Sequence, residues 1–285
     1  MSLVFVPTPL GNLRDITLRA IDALRECDLL VAEDTRVARK LLGALGLPGK
    51  EIWSYHEHNA MSSTPNILER ARTQLVAVTT DAGMPGISDP GVELAAAARA
   101  QGIAVEALPG PSAALGAALL SGFDLRRFVF EGFPPRAVRA RREALSAALA
   151  TGMTSVWYES PQRIRATLAD LDAIAPDARA FVLREYTKLH EQQILGTPHQ
   201  VAAALADPVR GEIVLVLAGK APVEASPPDE AIVDAAIDAL LAEGTPVATI
   251  AKSLAERGLG ARRELYARAT ARKREGSLTT GHDTT

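Results

Sequence analysis

Asp81-Ala-Gly-Met-Pro-Gly-Ile-Ser-Asp-Pro-Gly91 places three glycines, two prolines and two aspartates in eleven residues, directly behind the apolar run at residues 75–79. A buried strand that opens into such a loop brings bare backbone N–H and C=O groups close to a polar ligand, and Asp81 or Asp89 can neutralise a cation. The competing reading is a structural Ω-loop. Two loops of the same style lie on either side in sequence. Pro7-Thr-Pro-Leu-Gly-Asn12 follows a strand-like run at 3–6, and Pro109-Gly-Pro-Ser-Ala113 follows one at 104–108, with Ser112 placed as the N-cap of an Ala-rich helix. Singly, these two read as a rigid β-to-α turn and a helix cap. Three at successive strand ends converge on one edge of a parallel sheet, where open α/β sheets bind their ligands.

Working outward, further strand candidates lie at 29–32, 127–131, 155–158, 180–183 and 213–217, separated by helical patterns at 16–25, 92–101, 141–150 and 163–174. Strand–helix alternation of this kind predicts an α/β fold with largely parallel sheets. The boundaries read as an α/β domain over 1–111, a second over 112–221, a small all-α domain over 222–275 and a disordered tail over 276–285. Pro222-Val-Glu-Ala-Ser-Pro-Pro228 is the linker, because adjacent prolines continue neither a helix nor a central strand. Beyond it, Ile232, Ala236, Ile237, Leu240 and Leu241 share a helical face ended by Gly244. Thr245-Pro246 supplies an N-cap and N1 proline for a second helix closed by Gly258, and a basic third helix begins near Ala261. That order resembles a helix-turn-helix plan.

Composition narrows the function. Of 285 residues, 47% are hydrophobic and 23% charged, ample for a packed core. The longest stretch without charge, residues 107–123, is too short to span a membrane and carries Pro109 and Pro111. The N-terminus lacks a basic n-region, which predicts a cytoplasmic protein. Cys27 alone can form no internal disulfide or cysteine metal cluster, and His56-x-His58 lacks a third ligand, so no metal is expected. Residues 257–274 hold six arginines and Lys273 against Glu264, a local charge of +6 in a chain of net charge −3, and Arg136, Arg139, Arg141 and Arg142 form a second cluster. Each alone reads equally as a solvated helix face; together they keep nucleic acid in play. No G-x-G-x-x-G follows a strand, and no P-loop or G-x-S-x-G motif is present.

The loops, taken in order with Glu33-Asp-Thr-Arg36, His56-Glu-His-Asn59, Phe130-Glu-Gly-Phe133, Tyr158-Glu-Ser160, Arg184-Glu-Tyr-Thr-Lys188 and Gly211-Glu-Ile-Val214, resemble the tetrapyrrole-methylase superfamily. More narrowly, they resemble its bacterial branch that methylates a cytidine 2′-oxygen in the decoding centre of 16S ribosomal RNA. The resemblance covers nearly the whole chain. It implies two α/β domains of the class III methyltransferase type around a cleft for S-adenosylmethionine, 16S rRNA within the small ribosomal subunit as substrate, and a homodimer.

The resemblance sets the cofactor against Leu10, Gly83, Met84, Pro85, Ile87, Ser112 and Ala113, with Tyr158 and Leu217 completing the slot. Met84 departs from the threonine usual in that branch, which removes a hydroxyl and alters affinity; Ala137 replaces a lysine whose charge Arg136 or Arg139 supplies. Methyl transfer to a ribose hydroxyl needs alignment and a proton acceptor. Glu33, His56, Glu185 and Lys188 are the chemically able candidates. Asn12, Arg36 and Asn59 join Glu33 and His56 on an RNA-facing wall. Arg262, Arg263, Arg268, Arg272 and Arg274 supply phosphate contacts. Two other readings carry their own tests: a small-molecule tetrapyrrole methyltransferase would not need the basic C-terminal domain, and a non-catalytic RNA-binding assembly factor would not bind the cofactor.

Overall fold

Apolar runs without polar alternation, such as Leu29–Ala32, persist as strands only where both faces of the sheet are covered. In the computed structural model, which describes residues 2–219, 230–257 and 259–279, that requirement is met twice within the first of two units, Met1–Lys220 and Ala221–Thr285.

The first half of the larger unit runs β1 (Ser2–Phe5), α1 (Leu18–Glu26), β2 (Leu29–Ala32), α2 (Thr35–Ala44), β3 (Glu51–Ser54), α3 (Ala60–Thr73), β4 (Leu75–Thr79), α4 (Val92–Ala100) and β5 (Ala104–Ala107). All five strands are parallel, in the order β3-β2-β4-β1-β5. Side-chain alternation sorts the core into two layers. Leu3, Phe5, Val31 and Val78 pack on α3 and α4 through Ile67, Leu68, Leu94 and Ala98. Val4, Val6, Leu30 and Ala77 pack on α1 and α2 through Ala20, Leu24, Ala38 and Leu42. The neighbours β1 and β4 therefore send their chains to opposite faces of the sheet. That divergence is a topological switch point, and it opens a crevice beyond their carboxyl ends.

The second half continues with α5 (Ala113–Ser121), β6 (Phe128–Gly132), α6 (Val138–Ala150), β7 (Thr154–Glu159), α7 (Ile164–Ile174), β8 (Ala180–Arg184), β9 (Gln192–Gly196), α8 (Pro198–Ala204) and β10 (Ile213–Leu217). Its sheet order is β6-β7-β10-β8-β9. Only β6 and β7 are parallel; β10 runs antiparallel to β7 and β8, and β9 to β8. The expectation of a second parallel sheet is corrected accordingly. A direct β8-to-β9 connection allows an antiparallel pair without a crossover helix, and β9, with its exposed alternate residues, gives no continuous apolar run to read.

The smaller unit holds α9 (Glu230–Ala242), α10 (Val247–Glu256) and α11 (Arg262–Thr279) around Val233, Ile237, Ile250, Leu254 and Leu265. Three details differ from the sequence reading. Val233 is buried in place of Ile232, which is exposed. Pro246, not Thr245, is the N-cap of α10, with no side-chain bond. Helix α11 continues through Thr279 into the segment read as tail. The linker at 222–228, Gly258 and residues 280–285 lie outside the described residues. No described helix is long and apolar enough to cross a membrane.

Candidate active site

Three loops meet at the switch point, and backbone groups lock them together. Thr8 and Gly83 exchange N–H···O bonds of 2.9 and 3.0 Å, and Thr8 Oγ1 donates to the Thr80 carbonyl. Gly83 adopts φ +85°, a conformation that strains any side chain, and a Cβ there would crowd Leu10 Cδ2 at 3.0 Å. A Cβ on Gly110 would meet Pro7 at 2.6 Å, which brings the third loop onto the first.

Between these loops and the second sheet lies a cavity of about 370 Å³, within the size range of small-molecule sites. The first half contributes Leu10, Glu33, Thr80, Asp81, Met84 and Asp89 among others; the second contributes Phe133, Tyr158, Leu183, Tyr186 and residues 211–214. The antiparallel sheet explains this pattern. Val214 sits opposite both Tyr158 and Leu183, so the start of β10 lies beside the ends of β7 and β8.

Much of the wall is apolar, with the Tyr158 ring braced by Phe130 at 5.0 Å and Phe133 at 5.7 Å between ring centres. Burial raises the Tyr158 phenol above its ordinary range. The polar part is acidic: Glu33 and Asp89 converge on Thr80, whose Oγ1 is 2.8 Å from Glu33 Oε2 and 2.7 Å from Asp89 Oδ2, and Asp81, which also lines the cavity, accepts from the Asp34 N–H. Burial, with the negative charges of Glu33 and Asp81, pushes Asp89 up to about 6 against a single opposing hydrogen bond from Thr80. Asp81 is also raised, chiefly by burial and by the charge of Glu33. Apolar walls with a carboxylate end suit a small cationic molecule, and a carboxyl titrating near neutrality suits proton acceptance.

Of the sequence-predicted residues, Leu10, Gly83, Met84, Ile87, Ala113, Tyr158 and Glu33 line this cavity. Pro85 is buried beside it. Ser112 caps α5 and lines a neighbouring cavity of about 380 Å³ with Asp15, Thr17 and Thr187. Leu217 is not at the site. It is fully buried in the core at the far end of β10, because that strand enters the cleft with its first residues and not its last.

Glu185 and Lys188 hold each other. Lys188 Nζ is 2.9 Å from Glu185 and 3.1 Å from Glu212, and Glu185 also accepts from the Glu212 N–H. Burial works to lower the Lys188 pKa, but its two carboxylate partners outweigh it and raise the value, so the amine stays charged and cannot accept a proton. Burial works to raise Glu185, and Lys188 outweighs it and lowers the value. The segment that carries the pair forms a strap against the first loop: Thr187 Oγ1 accepts from the Asn12 N–H, and the Lys188 stem passes where a Cβ on Gly11 would be.

His56 and Asn59 form a turn ahead of α3. The Asn59 side chain accepts from the His56 N–H and donates to the Ser54 carbonyl, so both of its polar groups are committed to backbone. His56 Nδ1 is buried without a hydrogen-bond partner. Neither residue lines the cavity. Arg36 is exposed and paired with Asp34, which it holds at about 2. Asn12 caps the turn Leu13–Asp15.

The basic clusters divide in the same way. Arg141 is buried against Asp170, with Arg142 on the other carboxylate oxygen, while Arg139 is exposed beside Glu143 and the Arg136 carbonyl accepts from Arg141. On α11, Arg268 and Arg272 pair with Glu230, Asp234 and Asp238 of α9. Arg262, Arg263 and Arg274 face solvent. Thus Arg141, Arg268 and Arg272, read as phosphate contacts or as part of a basic face, hold helices together. No group of three or more His, Cys, Asp or Glu among the described residues is placed to hold a metal ion.

Comparison with known proteins gives a consistent picture. The family model of the tetrapyrrole (corrin/porphyrin) methylases matches residues 2–202. Ribosomal RNA small subunit methyltransferase I of Synechocystis sp. is 39% identical over 267 residues, 93% of this chain and 95% of that protein. The protein of that name from Thermotoga maritima is 41% identical over 223 residues, 76% of this chain and 98% of its own. A crystal structure of diphthine synthase matches with a TM-score of 0.62 at 17% identity, over 76% of this chain and 90% of that one, a likeness of fold.

Proposed function

The chain belongs to the tetrapyrrole methylase family and, within it, groups with the ribosomal RNA small subunit methyltransferases I; from that premise we propose that it uses S-adenosylmethionine to methylate a cytidine 2′-oxygen of 16S rRNA. The observation that carries the reading is the cavity at the switch point, with apolar walls and a carboxylate-rich end. S-adenosylmethionine, when bound, offers a methyl group on a positively charged sulfonium. Leu10, Gly83, Met84, Ile87, Ala113 and Tyr158 would hold its apolar parts, and Glu33, Asp81 and Asp89 complement its positive charge.

The chain's own contribution is positioning and proton handling. The locked loops fix one reactant in the cleft, and the segment held by Lys188, Glu185 and Glu212 reaches the first half through the Asn12 N–H bond to Thr187 Oγ1 and the Lys188 stem against Gly11. A ribose hydroxyl presented in line gains most of its rate from such alignment.

The α/β halves, residues 1–111 and 112–221, form the methylase body, and the helical region from 222 onward supports RNA binding. Arg262 and Arg263, exposed at the start of α11, supply phosphate contacts there, and Arg136 and Arg139 do so on the methylase body. The substrate is the assembled small subunit in the cytoplasm, and the protein works as a homodimer. With 4% aromatic residues, the chain has little material for stacking single strands. The test is transfer of labelled methyl to small subunits lacking native modification, to the same RNA free of protein, and to a precorrin. Label on the subunit alone is expected; label on the precorrin alone would replace this reading with a small-molecule one.

A further inference from the structure

Thr80 sits between two carboxylates that it cannot satisfy at once. Its hydroxyl oxygen is 2.7 Å from Asp89 Oδ2 and 2.8 Å from Glu33 Oε2. A hydroxyl carries one hydrogen, and ionised carboxylates only accept. With both acids ionised, one of the two short contacts has no proton in it. Adding a single proton completes the chain: the Asp89 carboxyl donates to Thr80, and Thr80 donates to Glu33. With both acids ionised the arrangement is thus one proton short, and it opens onto the cavity that all three residues line.

The backbone holds the chain in place. Thr80 is buried, with its carbonyl fixed by Thr8. Asp89 follows Ser88, a non-glycine residue at φ +64°, and precedes the turn at Gly91, so its direction is set by an uncommon local conformation.

We propose that the Asp89 carboxylate takes the proton of the attacking hydroxyl, with Thr80 and Glu33 as the positioning chain that receives and shares it. The inference rests on the reading above, in which the cavity transfers a methyl group to a hydroxyl. In the step, an oxygen lone pair forms the bond to the methyl carbon while the carbon–sulfur bond breaks and leaves its electron pair on sulfur. The hydroxyl proton passes to Asp89. A sulfonium and a carboxylate become a neutral thioether and a carboxylic acid, and the acid then returns its proton to water.

Among the earlier candidates, Lys188 is held charged, Glu185 faces Lys188, and His56 lies outside the cavity lining. Asp89 is ionised at neutral pH, yet its value near 6 lies close enough to make it an effective acceptor. The titratable groups facing it are Glu33 behind β2, Asp81 behind β4 and Tyr158 on β7.

The test compares the unaltered protein with Asp89→Asn and Thr80→Val in three measurements: single-turnover methyl transfer to unmodified small subunits across pH 5–8, calorimetric binding of S-adenosylmethionine, and carbon NMR of aspartate carboxyls without cofactor. Asp89→Asn is expected to lower the transfer rate at saturating S-adenosylmethionine about 10²- to 10⁴-fold, beyond any loss of cofactor affinity, and to remove an aspartate titration near pH 6. The unaltered rate should fall below that pH, and Thr80→Val should move the fall upward, because the carboxylate loses a donor. A rate within threefold for Asp89→Asn, a loss explained wholly by weaker cofactor binding, or no aspartate titrating between pH 5 and 7 would each overturn the assignment. If the unaltered protein labels no hydroxyl at all, the functional reading falls and this inference with it.

Discussion

Replacing Asp170 with asparagine should unfold the methylase body far more readily while leaving RNA recognition alone. Asp170 is buried on α7 and accepts from Arg141 Nε at 2.8 Å and Arg142 Nε at 2.7 Å. Arg141 is itself buried, and its remaining bond is to the Arg136 carbonyl. Taking away the carboxylate charge leaves a guanidinium in the interior without a counter-ion, which costs about 3–5 kcal/mol. In a body of this size that corresponds to a melting temperature lower by about 6–20 °C. Trp157, buried in the same core as α6 and α7, gives a fluorescence signal for urea titrations.

The pH dependence follows from the direction of the shift. Burial works to raise Asp170, but hydrogen bonds from Arg142 and Arg141 outweigh it and hold the carboxyl below its ordinary value. Its contribution is thus complete above the unfolded carboxyl's value of about 3.9 and is lost as pH falls through the folded one. The gap between parent and variant should stay level from pH 5 to 8 and narrow below about 4. Substituting both partners, Asp170→Leu with Arg141→Met, should recover most of the loss, since no lone charge remains. An Asp170→Asn protein within 1 kcal/mol of the parent, or one with a changed salt dependence of RNA binding, would refute the reasoning.

Other outcomes follow from the same structure. Arg262→Ala with Arg263→Ala should make the slope of log binding constant against log salt shallower by about 1–2, read by filter binding to small-subunit RNA; an unchanged slope would remove α11 from the interface. Gly211→Ala places a Cβ 2.4 Å from the Glu185 carboxylate at φ +87°, so it should displace the strap, lower stability by about 1–2 kcal/mol and weaken cofactor binding in calorimetry. Met84→Thr adds a hydroxyl to the cavity wall, and one new hydrogen bond of about 0.5–1.5 kcal/mol should tighten cofactor binding with transfer retained; weaker binding would mean that the thioether's apolar contact matters more.

The strands of the first sheet were readable because a parallel sheet covered on both faces leaves continuous apolar runs, and 29–32 and 75–79 match β2 and β4 residue for residue. Strands β3 and β9 were not, because their half-exposed residues interrupt the run. The three Gly/Pro loops were legible as loops that meet at one cavity, since the positive φ at Gly83 favours glycine. Leu217, set at the slot by the resemblance, lies in the core at the far end of β10 because that strand runs antiparallel to β7 and β8. The basic clusters misled because a count of arginines does not show which ones face an acid on the next helix, as Arg268 faces Asp234. Thr80 escaped notice altogether: nothing marks a strand-end threonine until Glu33 and Asp89 are seen on either side of it.

The central claim is that this cleft places a methyl group on a ribose 2′-oxygen of small-subunit RNA. Incubating the protein with S-adenosylmethionine and small subunits from cells lacking the modification, then analysing the digested RNA by nucleoside mass spectrometry with fragment mapping, tests it directly. The account predicts one new 2′-O-methylcytidine in the decoding centre. A methyl group found on a base, on another nucleotide or only on a small molecule would contradict it.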